Sequence, residues 1–310
     1  MAIVVIGSVF VDIKGFPNDV YIPTGRNAGR VETVHGGVGR NVAEDIANME
    51  LRPKFVSVVS DDASGEEVLR KLNKHKVNTD YVLRRPDGMG IWLAVFDNTG
   101  DLAGSISKRP DMDDLAGLLD EKGDEIFSDA DSVVVEIDMD KEIIKRIFHY
   151  ARKYGIKVFA VVSNMVIASQ RRDFLQSIDC FVCNLQEAGI LFVDDFSALE
   201  PEDMAEELYR RIDKADIPSM VVTLGSRGSV YASRDGDRGY FPPETVKVRD
   251  TSGAGDAFCA GVSAGLTYGK TLRQSVEIGT RLAASVITIS ESTCPRFLPQ
   301  ELGLDVPVTD

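Results

Sequence analysis

Short apolar runs alternate along this chain with longer stretches in which hydrophobic residues recur every three or four positions. The runs are rich in β-branched residues and end at Gly, Ser, Asn or Asp, as strands buried on both faces do. Strands are therefore predicted at 1–6, 54–59, 133–137, 157–162, 180–183 and 220–223. Helices are predicted at 42–49, 65–75, 141–154, 201–215, 256–268 and 271–289, with a short one at 169–175. Alternation at this spacing implies an α/β fold, a mostly parallel sheet with helices on both faces. Such sheets bind ligands beyond the carboxyl ends of their strands.

Two segments break the alternation. Residues 10–34 hold short β-like pieces interrupted by Gly and Pro, and 91–107 read as a hairpin turning at Asp97-Asn98-Thr99-Gly100. Extra strands inserted at the carboxyl edge of a parallel sheet are material for a lid. The lid is assigned to about 10–34 and 90–108 of a single domain covering 1–310. An exposed lid edge leaves open a homodimer formed through it.

Composition narrows the classes. A chain of 310 residues with 44% hydrophobic and 27% charged positions is ordinary for a globular protein. No apolar run approaches a membrane span and the N-terminus lacks a secretion signal, so a cytoplasmic location without membrane contact is expected. A net charge of −14 argues against a nucleic-acid surface. Cys180 and Cys183 form a C-x-x-C with no second pair. On a strand, i and i+3 face opposite sides, so buried thiols are expected there rather than a metal or redox site.

The chemistry concentrates at Asp250-Thr251-Ser252-Gly253-Ala254-Gly255-Asp256. Small residues just before a helix let a ligand approach free N–H groups at the positive end of the helix dipole, which is an anion site. An acid at its edge, Asp256, is placed to take a proton. Alone, the same letters describe an ordinary helix cap. A second Gly-rich turn, His35-Gly36-Gly37-Val38-Gly39-Arg40-Asn41, could admit a small polar ligand. It lacks the third glycine of a dinucleotide fingerprint. Asp12, Glu136 and Asp138 follow strands and could accept from sugar hydroxyls, or be solvated loop acids. Asn184 with Glu187, and Thr223-Leu224-Gly225-Ser226-Arg227-Gly228, follow two more strands.

In this order the motifs resemble the ribokinase-like (PfkB) carbohydrate and nucleoside kinases over nearly the whole chain. The resemblance implies a three-layer sandwich with a small β lid, and magnesium–ATP as phosphoryl donor. By position, Asp256 would be the catalytic base, and Gly253, Ala254 and Gly255 with it the anion hole. Asp12, Gly36, Gly37, Asn41, Glu136 and Asp138 would bind the acceptor. Asn184, Thr223, Gly225, Ser226 and Gly228 would bind the nucleotide. Glu187 would order magnesium through water, and Asp250 lies where many members hold a monovalent cation such as K⁺.

Three stretches resemble the pseudouridine kinases of this family: 36–43, 96–100 and 290–293. Phe10 departs from them, standing where many relatives have Asn. The expected reaction is phosphorylation of a primary hydroxyl of a small sugar or nucleoside, pseudouridine to its 5′-phosphate being the leading case. Ribokinase, fructokinase and 2-keto-3-deoxygluconate kinase activities are the alternatives. Phe10, Trp92 and Phe96 are expected to wall a planar base. A non-catalytic binding protein would have no need of Asp256. A nicotinamide oxidoreductase would need a Gly-rich turn directly after the first strand, where Gly7-Ser8-Val9-Phe10 stands.

Overall fold

The structure, a computed structural model, describes residues 2–306; Met1, predicted to start the first strand, lies outside them. The elements in order are β1 (Ala2–Ile6), β2 (Phe10–Pro17), β3 (Gly29–Gly36), α1 (Val38–Asn48), β4 (Lys54–Ser60), α2 (Ala63–Lys74), β5 (Asn78–Arg85), β6 (Gly90–Phe96) and β7 (Leu102–Lys108). There follow α3 (Leu115–Phe127), β8 (Ala130–Glu136), α4 (Lys141–Tyr154), β9 (Lys157–Val161), α5 (Met165–Ser169), α6 (Arg172–Leu175), β10 (Cys180–Asn184), α7 (Leu185–Phe192) and α8 (Pro201–Ala215). The chain continues through β11 (Ser219–Thr223), β12 (Ser229–Ser233), β13 (Arg238–Phe241), α9 (Ala254–Thr267) and α10 (Leu272–Val286).

The large sheet has the order β13-β12-β11-β10-β9-β8-β1-β4-β5. It is parallel except for β12 and β13, which pair antiparallel at one edge. Successive side chains of a strand face opposite ways. Val4, Ile6, Val133 and Val135 therefore pack on α3–α8, while Ile3, Val5 and Val134 pack on α1, α2, α9 and α10. Two dry layers bury the sheet on both faces, which is why its strands read as continuous apolar runs. Cys183 joins the first layer and Cys180 the second, both as buried free thiols.

The second sheet, β3-β2-β6-β7, is the lid. Its strands leave the large sheet just after β1 and β5, and so stand over the carboxyl edge. β2 pairs antiparallel with β3 and parallel with β6. Asp12 and Lys14 share the lid face that lines the cleft, whereas Val31, Leu93 and Ile106 are exposed on the outside.

Several predicted boundaries move. α1 starts at Val38 rather than 42, so Arg40 and Asn41 belong to a helix and not to the turn. The predicted helix 169–175 is two short ones, α5 and α6. β5, α3 and α7 were not predicted. β5 is a largely polar edge strand. In α3, Gly117 and Gly123 interrupt the helical period; a Cβ on Gly123 would stand 2.1 Å from the Tyr150 ring, which stacks on Phe127 at 5.4 Å. No helix among the described residues is long and apolar enough to cross a membrane.

Candidate active site

Neighbouring strands β1 and β8 bring Ser8 and Glu136 together at the carboxyl edge. The Glu136 carboxylate accepts hydrogen bonds from the Ser8 amide at 2.8 Å, the Ser8 hydroxyl at 2.9 Å and the Gly39 amide at 2.6 Å. Gly39 lies in the first turn of α1, so the acid sits at that helix's positive end. The fit depends on two bare backbones. A Cβ on Gly39 would stand 2.5 Å from Gly7 Cα, and one on Gly7 would stand 2.7 Å from Glu136 Oε1. Burial pushes Glu136 up to about 7, with Asp138 adding to the rise and Ser8 and Gly39 opposing it.

Asp138 accepts from the Ser163 amide at 3.0 Å and the Ser163 hydroxyl at 2.8 Å, and Arg109 Nη2 stands 3.2 Å from it. Both acids line the cleft, but their oxygens already hold protein donors. Asp12 is more open. Among the described residues no donor bonds its carboxylate, which faces the cleft from the lid. Burial raises its pKa while Lys14 and Arg40 pull it back. Gly37 lines the cleft; Gly36 lies against Asp12, where a Cβ would meet Oδ2 at 2.4 Å.

Opposite the lid stands the start of α9. Gly253 caps it with φ 79°, and a Cβ there would lie 1.9 Å from the Ser292 carbonyl oxygen. This glycine is a requirement of the fold. Gly255 is not: a Cβ there meets nothing within 4 Å, so the space beside its amide is open. The Gly255 and Asp256 amides make no backbone hydrogen bond among the described residues, as expected of a first helical turn. Asp256 Oδ2 accepts from Asn41 Nδ2 at 2.7 Å. Burial pushes Asp256 up to about 7; Asn41 and Arg40 counter this, and Glu187 and Asp12 add to it.

Asn184 and Glu187 cap α7 reciprocally, at 2.9 and 2.7 Å. Asn184 is in register with Thr223 on the next strand. Gly225 and Gly228 turn this chain end with φ 62° and 85°. Neither Asn184 nor the 223–228 turn lines the cleft that holds Asp12 and Asn41. Glu187 links the two sides. Burial raises its pKa, Asp138 raises it further, and Glu187 in turn raises Asp256. Asp250 accepts from the Ser252 amide at 2.8 Å and so folds the loop entering α9.

The cleft itself has a volume of about 670 Å³. Besides Asp256 and Asn41 it is lined by Phe10, Trp92, Met112, Ile143 and Ile167, and by Arg109, Asn164 and Arg171 together with the acids Asp113, Asp138 and Asp140. Trp92 lines it as predicted. Phe96 does not: it lies farther along the lid strand, stacked on Phe16 at 4.9 Å with Trp92 on its edge.

This geometry, a helix start with free amides and an acid beside it and a lidded cavity next door, has known counterparts. Residues 2–296 match the model of the pfkB family carbohydrate kinases. The chain belongs to the pfkB family and is a kinase. It is 36% identical over 292 residues to a guanosine-inosine kinase of Exiguobacterium acetylicum, covering 94% of this chain and 95% of that one. It is 24% identical over 294 residues to the pseudouridine kinase of Escherichia coli, covering 94% and 92%. The ribokinase of Arabidopsis thaliana, solved with ribose and ATP, superposes with a TM-score of 0.81 at 22% identity, covering 99% of this chain and all of that one (100%). That likeness is one of fold.

Four basic residues of this pfkB kinase escaped the sequence reading. Lys14 Nζ donates to Ser252 Oγ at 3.2 Å, in the loop entering α9. Its signal was its spacing, two residues after Asp12 on one strand face. Arg40 is 1% exposed within α1. Arg109 and Arg171 lie on irregular segments, where no periodicity points at the cleft; Arg171 donates to the Met139 carbonyl.

Proposed function

We propose that this kinase transfers the γ-phosphoryl group of ATP to the 5′-hydroxyl of a nucleoside, with guanosine and inosine ahead of pseudouridine and free pentoses. The observation that carries it is the lining of the cleft beyond Asp12 and Asn41. A pentose needs only the end holding Asp12 and Asn41. The remaining lining offers apolar side chains suited to a planar ring, and two cationic donors, Arg109 and Arg171. A 6-oxopurine presents two acceptors, O6 and N7, on one edge, the pair an arginine fork matches. Adenine presents an amino donor in place of O6, so Arg171 and Arg109 favour the oxo form. The similarity to a guanosine-inosine kinase points the same way. The similarity to a pseudouridine kinase, together with Gly36–Ala43, supports the second reading.

In the proposed reaction Asp12 and Asn41 hold the ribose, and Asp256 takes the 5′-hydroxyl proton as the new O–P bond forms and ADP leaves. The Gly253–Asp256 amides and Lys14 face the charge on the transferring group. Asn184, Thr223, Gly225, Ser226 and Gly228 are assigned to the nucleotide. Asp138 raises the pKa of Glu187, and Glu187 raises that of Asp256, which a nearby cation would offset. Among the described residues no group of three ligating side chains could cage a metal. Magnesium would be held mainly by phosphates and water, with Glu187 reaching it through water. Magnesium would supply charge neutralisation on the phosphates. Asp250 is assigned to a monovalent cation.

A coupled ADP-release assay over guanosine, inosine, adenosine, pseudouridine, uridine, fructose and ribose tests this. The oxopurine nucleosides should exceed ribose in kcat/KM by about a hundredfold or more. Ribose or fructose leading every nucleoside would sink the proposal and leave the kinase standing. Arg171→Met should cut the inosine-over-adenosine preference by roughly tenfold or more, the worth of about one good base contact. Gly255→Val should fold normally, because its Cβ meets open space. It should raise KM for ATP by about tenfold, equivalent to roughly 1.4 kcal/mol, and leave KM for the acceptor in place. Unchanged ATP kinetics in a folded variant would remove Gly255 from the phosphate site.

A further inference from the structure

Arg40 does not line the cleft, yet it is a buried cation one contact away from Asp256. Burying a charge is costly unless it is paired. Its Nη2 lies 2.6 Å from Glu44 Oε2, one turn along α1. That contact is an ion pair off the hydrogen-bond axis. Burial pushes the Glu44 carboxyl up, but Arg40 and Lys71 together bring it below its ordinary value. Nη1 donates to Asn41 Oδ1 at 2.6 Å, to the His35 carbonyl at 3.2 Å and to Ser292 Oγ at 3.4 Å.

A guanidinium has donors and no acceptor. Asn41 must therefore give its oxygen to Arg40 and its Nδ2 to the other side, where it meets Asp256 Oδ2. An Asn41 amide free to turn over would present its oxygen to Asp256 part of the time. Two facing acceptors repel, and the acid would then keep its proton. We propose that Arg40 is a positioning residue: by holding the Asn41 oxygen it fixes the amide with its N–H toward Asp256, and so keeps the base in its proton-accepting form.

The surroundings make this hold consequential. Asp12 from β2, Glu187 from α7, Asp45 from α1 and Cys259 from α9 itself all face Asp256 and disfavour its ionisation or are disfavoured by it. Arg40 and Asn41 oppose them. The inference rests on Asp256 being the base, but not on which acceptor is used.

The test is the pH profile of kcat/KM for the acceptor at saturating ATP, with inosine and, separately, ribose as probes. Arg40→Met is combined with Glu44→Gln so that no buried carboxylate is left unpaired. The acid limb should move up by about one pH unit, so that the rate falls about tenfold more at pH 6 than at pH 9. Arg40→Lys keeps a charge beside Glu44 but loses the fork, and should move the limb in the same direction by less. Glu44→Gln alone keeps the Arg40–Asn41 contact and should leave the limb in place. A loss by the same factor at every pH would mean a merely structural Arg40 and overturn the proposal. So would a limb unmoved by Arg40→Lys, or one moved as far by Glu44→Gln alone. Turnover of ribose without inosine would defeat the nucleoside reading, while the shift measured on ribose still decides Arg40.

Discussion

Asp256→Asn is expected to fold, to bind ATP about as well as the wild type, and to turn over about 10²–10⁴-fold more slowly. The amide keeps the shape of the carboxylate and can still accept from Asn41, but it cannot take the proton. A variant retaining more than about a tenth of wild-type kcat would end Asp256's role as base. The same substitution has a second, opposite effect. Burial raises the Asp256 pKa from 3.8 to about 7. The folded state thus holds this proton more tightly than the unfolded one. The stability this lends is full below the ordinary carboxylate range and is lost as pH rises through about 7. At pH 8.5 the wild type carries an ionised acid in a poorly solvated place and the variant does not. Allowing for solvent in the cleft, the variant should be more stable by roughly 2 kcal/mol, or about 4 °C in Tm. The gap should close below pH 4. A variant less heat-stable than the wild type at pH 8.5 would show that Asn41 already compensates the charge.

Gly39→Ala should cause the largest loss of stability among small substitutions near the site. Its Cβ would lie 2.5 Å from Gly7 Cα and 2.6 Å from Gly7 C, both backbone atoms that cannot swing aside. To accommodate it, α1 must back away from β1. The Glu136 bonds to Ser8 and Gly39 then lengthen, and a buried acid is left short of donors. The expected cost is about 3 kcal/mol, seen as a fall of roughly 6 °C or more in Tm, with kcat/KM lowered as Asn41 moves. Gly255→Ala is the matched control, since its Cβ meets no atom within 4 Å. Equal Tm values for the two variants would contradict the close approach of α1 to β1.

The sequence reading succeeded where local pattern and tertiary role coincide. α4 and α8 carry clean amphipathic periods, and both run over the predicted 141–154 and 201–215. The Gly-rich turns and strand-end acids stood out through their order along the chain, since each one alone reads equally well as a cap or a solvated loop acid. The start of α1 was not. Its first turn, Val38-Gly39-Arg40-Asn41, has poor helical composition, and it is helical because Glu136, 97 residues away, accepts from Gly39. The roles of Glu136 and Arg40 are of the same kind. Each depends on partners brought close by topology, and nothing in a linear pattern joins Ser8 to Glu136 or Arg40 to Ser292. Trp92 and Phe96 share a strand, and only the lid's packing sets one in the cleft and the other against Phe16.

The junction of β1, α1 and Glu136 also bears on how acceptor choice can diverge in such a scaffold. No side chain fits between Gly7 and Gly39, so the floor of the cleft cannot be reshaped by enlarging residues there without disturbing the acid and amides above it. At the roof the close glycine contact, Gly90 against the Phe10 ring, is with a replaceable side chain and not with backbone. Phe10, Trp92, Arg109 and Met112 come from the lid and the segment after it, away from the Asp256 helix. Evolution or engineering can therefore retune the acceptor at the roof while the phosphate end stays as it is. Swapping lid residues between this chain and a ribose-specific relative is the economical route to a new selectivity, and floor residues are the ones to leave untouched in any library.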